Sequence, residues 1–319
     1  MRVCIWYELI KGAWGGSNSF LLTLTDEFSH LGIKVDHSPS IRDSIVLVNS
    51  WSRGKGRYLD IDMVKNIRKT GFTSIIGHIF SQRGTPIIHR VNGVAQWYGR
   101  QDPRADTIQF AIAQMADYVI FQSHYSRESF GKLGIKPIRS TVIHNAVDSR
   151  IFYPPSILSE PKKNLKIAAI SWSSNPMKGF SWLTRIAALP AVQVHFIGNW
   201  QPCLDPGNVK CMGVKTRIEI AELLRNSDIL IHPAENDPCS NAIIEGLACA
   251  LPILYHNSGG NPELAGDFGL PLTENLQESI EEIRLRYREF RHKALEARHR
   301  FRIETCAEKY VHVFEETAE

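Results

Sequence analysis

The chain has 319 residues, enough at roughly 150 residues per domain for about two domains. It is 43% hydrophobic and 22% charged, with a formal net charge of +4. That balance excludes a disordered chain and gives no ground for a nucleic-acid partner. Six cysteines include no C-x-x-C pair, and the opening run Val3-Cys4-Ile5-Trp6-Tyr7 is too short for a signal-peptide core or a membrane span. Reduced thiols in a cytoplasmic protein are therefore expected. His292 and His299 come nearest to metal-ligand spacing, but no cysteine or carboxylate cluster surrounds them, so no metal site is expected.

In chain order, short apolar runs alternate with helix-like segments, the pattern of a parallel α/β fold. Strands are expected at 2–7, 44–48, 74–76, 86–91, 118–122 and 141–143, with helices at 17–31, 60–69 and 106–116. The pattern restarts at 166–170, 193–197, 209–211, Ile229–His232 and 252–255. Phe152-Tyr153-Pro154-Pro155 and the polar stretch after it read as a linker. The expectation is two doubly wound, Rossmann-like domains, 1–153 and 154–306, facing across a cleft. The basic run Arg284-Leu285-Arg286-Tyr287-Arg288, with Arg291, His292 and Lys293, reads as a solvated helix face. Contact with an anionic acceptor or the cytoplasmic membrane face is its second reading.

The most informative stretch begins at Ile229–His232, a buried strand that leaves its sheet at Pro233 and enters the acidic loop Glu235-Asn236-Asp237. A helix follows, with Ser240 as its N-cap. A helix start directed at a ligand suits a diphosphate, because its first N–H groups are unsatisfied and the dipole is positive there. Asp237 and Glu245 stand eight positions apart, so the two carboxylates serve different parts of one ligand.

Here the sequence resembles the family 4 retaining glycosyltransferases, whose donor site carries Glu, seven residues, then Glu. The match reads Asp237-x7-Glu245, then Ala248-Cys249-Ala250-Leu251-Pro252-Ile253, Gly259-Gly260 and Pro262-Glu263. The resemblance implies a GT-B fold. It implies that Glu245 takes the ribose hydroxyls and that backbone N–H groups of Ser240, Asn241 and Ala242 hold phosphate and sugar. Asp237 stands where the family has its first glutamate, with one methylene less of reach, and is assigned to orienting the sugar or stabilising charge. Asn175-Pro176-Met177-Lys178-Gly179 resembles the family's Lys-Gly turn, which gives Lys178 the donor phosphates. The family's accompanying arginine is replaced by Trp172 and Ser173, and Ser173 is carried to the donor site in that place. Gly198, after a strand, resembles the donor-lobe glycine, and Cys211-Met212-Gly213-Val214 the turn beside the base.

In the first half, Gly12-Ala13-Trp14-Gly15-Gly16-Ser17 resembles the family's Gly-Gly hairpin near the scissile bond, assigning Gly15 and Gly16 there; G-x-G-x-x-G is not met. Asn92 takes the place of a family histidine that touches the donor sugar, with His89 and Arg90 just upstream. Val142-Ile143-His144-Asn145-Ala146-Val147-Asp148 resembles the hinge, and a final helix at about 307–319 the one that crosses back to the first domain. The implied function is retaining, metal-independent transfer of a sugar from a nucleotide-sugar such as a UDP- or GDP-sugar, of the kind used in polysaccharide biosynthesis. The acceptor is a glycan, a lipid-linked sugar or a small molecule, and no cofactor is called for. The loop 95–106, with Trp97, Tyr98, Arg100 and Arg104, falls on the acceptor side. A nucleotide-sugar-binding relative without turnover is the alternative, motivated by Asp237, Asn92 and Trp172; a nucleotide-sugar 2-epimerase is a third reading.

Overall fold

A computed structural model describes residues 1–12, 15–40, 42–70, 84–158 and 160–318. The strand expected at 74–76 lies outside them, as do Ala13 and Trp14 of the glycine loop. Contacts divide the rest into two units. One holds Met1–Ile10, Leu21–His144 and Cys306–Glu319, the other Lys11–Phe20 and Asn145–Thr305. The division falls at His144 and Asn145, upstream of the paired prolines. A proline pair marks where the chain bends, not which neighbours it packs against. Val147 already bridges to Arg302, and Phe152 is buried in the core of the second unit.

The first unit is built on β1 (Arg2–Trp6), β2 (Lys34–Asp36), β3 (Ile45–Asn49), β4 (Ile87–Val91), β5 (Tyr118–Phe121) and β6 (Ser140–Val142). They pair in the order β2-β1-β3-β4-β5-β6, every pair parallel. All five residues of β3 and of β4 are buried, as expected of strands covered on both faces. The connections include α1 (Gly15–His30), α2 (Ile61–Thr70), α3 (Arg104–Met115) and α4 (His124–Lys132). Ser123 caps α4, its hydroxyl accepting from the Ser126 N–H at 3.0 Å. Phe28 packs on Tyr310 and Phe314 of the last helix, with ring centroids 6.4 and 5.4 Å apart.

The second unit's sheet comprises β7 (Leu165–Ser171), β8 (Val192–Gly198), β9 (Lys210–Cys211), β10 (Ile229–His232), β11 (Ile253–Tyr255) and β12 (Gly269–Pro271). Its order is β12-β11-β10-β7-β8-β9, again parallel. Its helices are α5 (Phe180–Ala187), α6 (Arg217–Arg225), α7 (Asn241–Ala248), α8 (Asn261–Ala265), α9 (Leu276–Leu285) and α10 (Tyr287–Ala297), while the last helix, α11 (Ile303–Ala318), belongs to the first unit from Cys306 on. One apolar cluster joins Leu230, Ile243, Leu247 and Ile253; another joins Leu183, Phe196, Ile229 and Leu254. A Cβ on Gly246 would lie 2.7 Å from Leu230 Cδ2, so a glycine lets α7 sit close on β10.

The first strand in sequence lies inside each sheet, with strands added on both sides of it. The switch points are therefore β1/β3 in the first unit and β7/β10 in the second. Open α/β sheets bind ligands at such points, outside the carboxyl ends of the strands. Among the described residues no helix is long and apolar enough to cross a membrane. The basic run at 284–293 is largely matched by acids: Arg288 pairs with Glu160, Arg286 and Lys293 with Glu289, while Arg291 is buried and donates to the Tyr287 hydroxyl.

Gly198 has φ +123°, and a Cβ there would lie 1.9 Å from the Ser171 carbonyl oxygen, where the ends of β7 and β8 pair. Gly198→Ala is expected to destabilise the protein by about 2 kcal/mol or more through overlap and backbone strain. Thermal unfolding checks this, an unchanged midpoint being the contrary result.

Candidate donor site

The loops after β7 and β10 are locked together by their backbones. Asn175 caps a short 3-10 turn, its side-chain oxygen accepting from the Met177 N–H, and Gly179 follows in the left-handed region at φ +75°. A Cβ on Gly179 would lie 2.3 Å from the Pro233 carbonyl oxygen, and the Glu235 N–H donates to Met177 O at 2.8 Å. Lys178 is thereby fixed against the loop that leads into α7. Gly259 and Gly260 crowd the backbone of Asp237 and Pro238 from the other side, the Gly260 N–H donating to Asp237 O at 2.8 Å.

Ser240 is the N-cap of α7, its hydroxyl accepting from the Ile243 N–H at 3.3 Å. The Asn241 and Ala242 N–H groups have no acceptor among the described residues. Two donors thus stand open at the positive end of the helix dipole. The Asn241 side chain is held on both ends: its oxygen accepts from Asn145 Nδ2 at 2.8 Å, and its Nδ2 donates to Gly16 O at 2.9 Å. Gly16 and Gly15 sit against this unit, a Cβ on Gly15 meeting the Trp172 indole at 3.3 Å.

Glu245 lies one helical turn after Asn241, half-buried, and its carboxyl has no hydrogen-bond or ion-pair partner among the described residues. Burial raises it from 4.5 to about 7, opposed by the charge of Arg217. Asp237 is differently placed. Its Oδ2 is 2.7 Å from Lys178 Nζ and 3.4 Å from His232 Nε2. Burial alone would raise this carboxyl, but Lys178 and His232 outweigh it and hold it well below the usual range. Burial lowers His232 from the usual histidine value, against the pull of Asp237, and its Nδ1 faces Ser240 Oγ at 3.4 Å.

The sequence-derived set therefore divides. Lys178, Asp237, Ser240, Asn241, Ala242, Glu245, Gly15 and Gly16 gather around the β7/β10 switch point, with Gly198 at the end of the neighbouring β8. Ser173 caps a turn, its hydroxyl accepting from the Asn175 N–H at 3.2 Å, and the Trp172 carbonyl accepts from Asn199 Nδ2 at 2.7 Å. Asn92 belongs to the first unit, after β4, where its side-chain oxygen accepts from Arg90 Nη1 and Gln122 Nε2. His89, the other candidate there, is fully buried, lowered by that burial to about 4, and bonded to Ser50 O at 2.9 Å. Sequence reasoning missed His232 and Asn145. The first shows in sequence as a histidine closing the apolar run of β10, the second as the asparagine of the hinge motif.

Residues 188–302 match the family model described as Glycosyl transferases group 1. These residues are a group 1 glycosyltransferase domain. The match contains α7 and the loop before it, whereas Lys178 and the glycine loop lie outside it. In fold the chain is similar to sucrose-phosphate synthase from Thermosynechococcus elongatus, with 15% identity, TM-score 0.71, and 99% of this chain and 98% of that one covered. It is similar to HepE of Anabaena solved with UDP-glucose, with 16% identity, TM-score 0.70, and coverage of 99% and 100%. It is also similar to WaaG, a glycosyltransferase involved in lipopolysaccharide biosynthesis, with 14% identity, TM-score 0.65, and coverage of 98% and 99%. No curated protein matches it in sequence. The fold common to these structures is GT-B, and the family matched over residues 188–302 is one of glycosyltransferases.

Glu245 binds its proton more tightly in the folded chain than in the unfolded one. Its contribution to stability is therefore fully present below pH 4.5 and is lost as pH rises through about 7. Glu245→Gln is expected to flatten this fall, leaving the variant more stable than the parent at pH 8 by an amount on the order of 1–3 kcal/mol. Urea unfolding across pH 4–8 measures it, and parallel curves for the two proteins would contradict the assignment.

Proposed function

We propose that this glycosyltransferase moves a sugar, with retention of anomeric configuration and without a metal ion, from a nucleoside-diphosphate sugar to a glycan, lipid-linked or small-molecule acceptor. One observation carries the reading: two open backbone N–H groups at Asn241 and Ala242, with the unpartnered Glu245 carboxyl one turn behind them. The first pair suits the diphosphate, and a carboxylate accepts both hydrogens of a vicinal diol, which suits the ribose. Diol binding would also relieve the cost of burying Glu245 as a charged group.

In the transfer the bond from the anomeric carbon to the diphosphate breaks and a bond to the acceptor hydroxyl oxygen forms. The acceptor approaches from the leaving-group side, and its proton passes to the diphosphate. The helix start and Lys178 supply fixed positive potential for the leaving charge. Lys178 is held by Asp237 before donor arrives, so an incoming diphosphate shares the ammonium with that carboxylate. Asp237 on this reading fixes Lys178 first and steadies charge near the sugar second. The basic run at 284–293, largely matched by acids, is given no membrane role.

A thermal-shift screen of nucleotide-sugars, with UDP-sugars first because HepE was solved with UDP-glucose, identifies the donor by mass-action stabilisation. NMR of the product's anomeric centre tests retention, and assays with and without EDTA test metal independence. Lys178→Ala and Glu245→Ala are each expected to lower transfer roughly 100- to 1,000-fold while leaving the fold intact. Near-parental turnover in either variant overturns the site assignment. Donor binding without turnover would instead mark a binding protein on the same fold.

A further inference from the structure

The switch point of the first sheet, β1/β3, carries its own built loop. After β3 the chain runs Trp51-Ser52-Arg53-Gly54-Lys55-Gly56-Arg57-Tyr58 and closes on itself through a bridge between Ser52 and Tyr58. The Arg53 N–H donates to Arg57 O at 3.1 Å, and the Glu8 N–H, just past β1, donates to Arg53 O at 2.9 Å. Gly54, at φ +91°, presses so closely that a Cβ would lie 2.5 Å from Glu8 O. The loop is thus fixed against the exit of β1 before any ligand is present.

Five cations gather here: Arg53, Lys55 and Arg57 from this loop, and Arg100 and Arg104 from the segment after β4. Three have acidic partners. Glu8 holds Lys55 and Arg57, and Asp102 holds Arg104 at 2.7 Å. The other two have none among the described residues. Arg100 is exposed, its guanidinium stacked 4.1 Å over the Trp51 ring. Arg53 has its Nε shielded from solvent with no hydrogen-bond acceptor. A shielded, unmatched guanidinium donor is costly unless something supplies the acceptor. The stacking on Trp51 holds the second guanidinium beside the same loop, and planar guanidinium groups suit two-pronged binding of carboxylate or phosphate.

We propose that the acceptor of this glycosyltransferase is an anionic saccharide, bearing a carboxylate or phosphate that Arg53 and Arg100 hold at the β1/β3 switch point. The inference rests on the transferase reading above and deepens it by naming the acceptor's chemical class. The arginines act on acceptor binding and not on the departing diphosphate, so the effect belongs in the acceptor KM.

The test uses the full chain with whichever donor the screen identifies. Nucleoside-diphosphate release is followed with methyl glucoside, methyl glucuronide and glucose 6-phosphate, in the parent and in the double variants Arg53→Gln/Arg100→Gln and Arg53→Lys/Arg100→Lys. The anionic sugars are expected to give an acceptor KM at least about 10-fold below that of the neutral one, rising steeply with salt. The glutamine variant should lose this advantage, with slow donor hydrolysis and thermal midpoint unchanged, and the lysine variant should keep part of it. Preference for the glucuronide alone, or the phosphate alone, identifies the source of the charge. Equal use of neutral and anionic sugars, or an unchanged KM in the glutamine variant, overturns the proposal. A failure of the transferase reading looks different: no donor is hydrolysed or transferred at all. Calorimetry with methyl glucuronide and glucose 6-phosphate, at saturating nucleoside diphosphate, then decides the anion site. Equal affinity in parent and glutamine variant rejects it, and a loss of 10-fold or more supports it.

Discussion

The β7/β10 switch point of this molecule depends on one unmet demand, the backbone N–H groups at the start of α7. Every helix has such groups, and most proteins satisfy or expose them. Here Ser240 satisfies one while those of Asn241 and Ala242 stay open. Their position is overdetermined. Gly246 seats the helix on β10, Gly259 and Gly260 press on the preceding loop, and Asn145 and Gly16 hold the Asn241 side chain. A pair of donors held this firmly would need no reorganisation to meet the proposed diphosphate, which is what makes fixed dipoles effective against developing charge.

Around that point the two acids of the sequence motif have parted ways. Glu245 is left without a partner and pays in a raised carboxyl. Asp237 is one methylene shorter than the family's glutamate, and it lies inside, against Lys178 and His232. Position in a motif therefore does not fix a role.

The sequence carried the architecture because parallel strands covered on both faces must be apolar throughout. Ile229–His232 was legible to the residue, and β1, β3, β4 and β7 to within a residue or two at their ends. Lys34–Asp36 and Gly269–Pro271 were not. They are three-residue edge strands, too short for a hydrophobic period to register. The site was legible where its chemistry is local, as in the Ser240 cap and the Lys178 turn. It was illegible where partners are distant in the chain: Lys178 meets Asp237 across 59 residues, and Asn145 meets Asn241 across 96.

One buried chain in the first unit reaches further than its residues suggest. His89 bonds to Ser50 O, Ser50 Oγ to Gln109, and Gln109 to Asp106, which in turn accepts from the Ala95 and Gln96 N–H groups. The backbone of the segment bearing Arg100 is thus anchored from within by groups that water does not reach. Its outward side chains can be exchanged without moving that backbone. Selection can retune what this edge of the sheet recognises one residue at a time, while the scaffold beneath stays as it is.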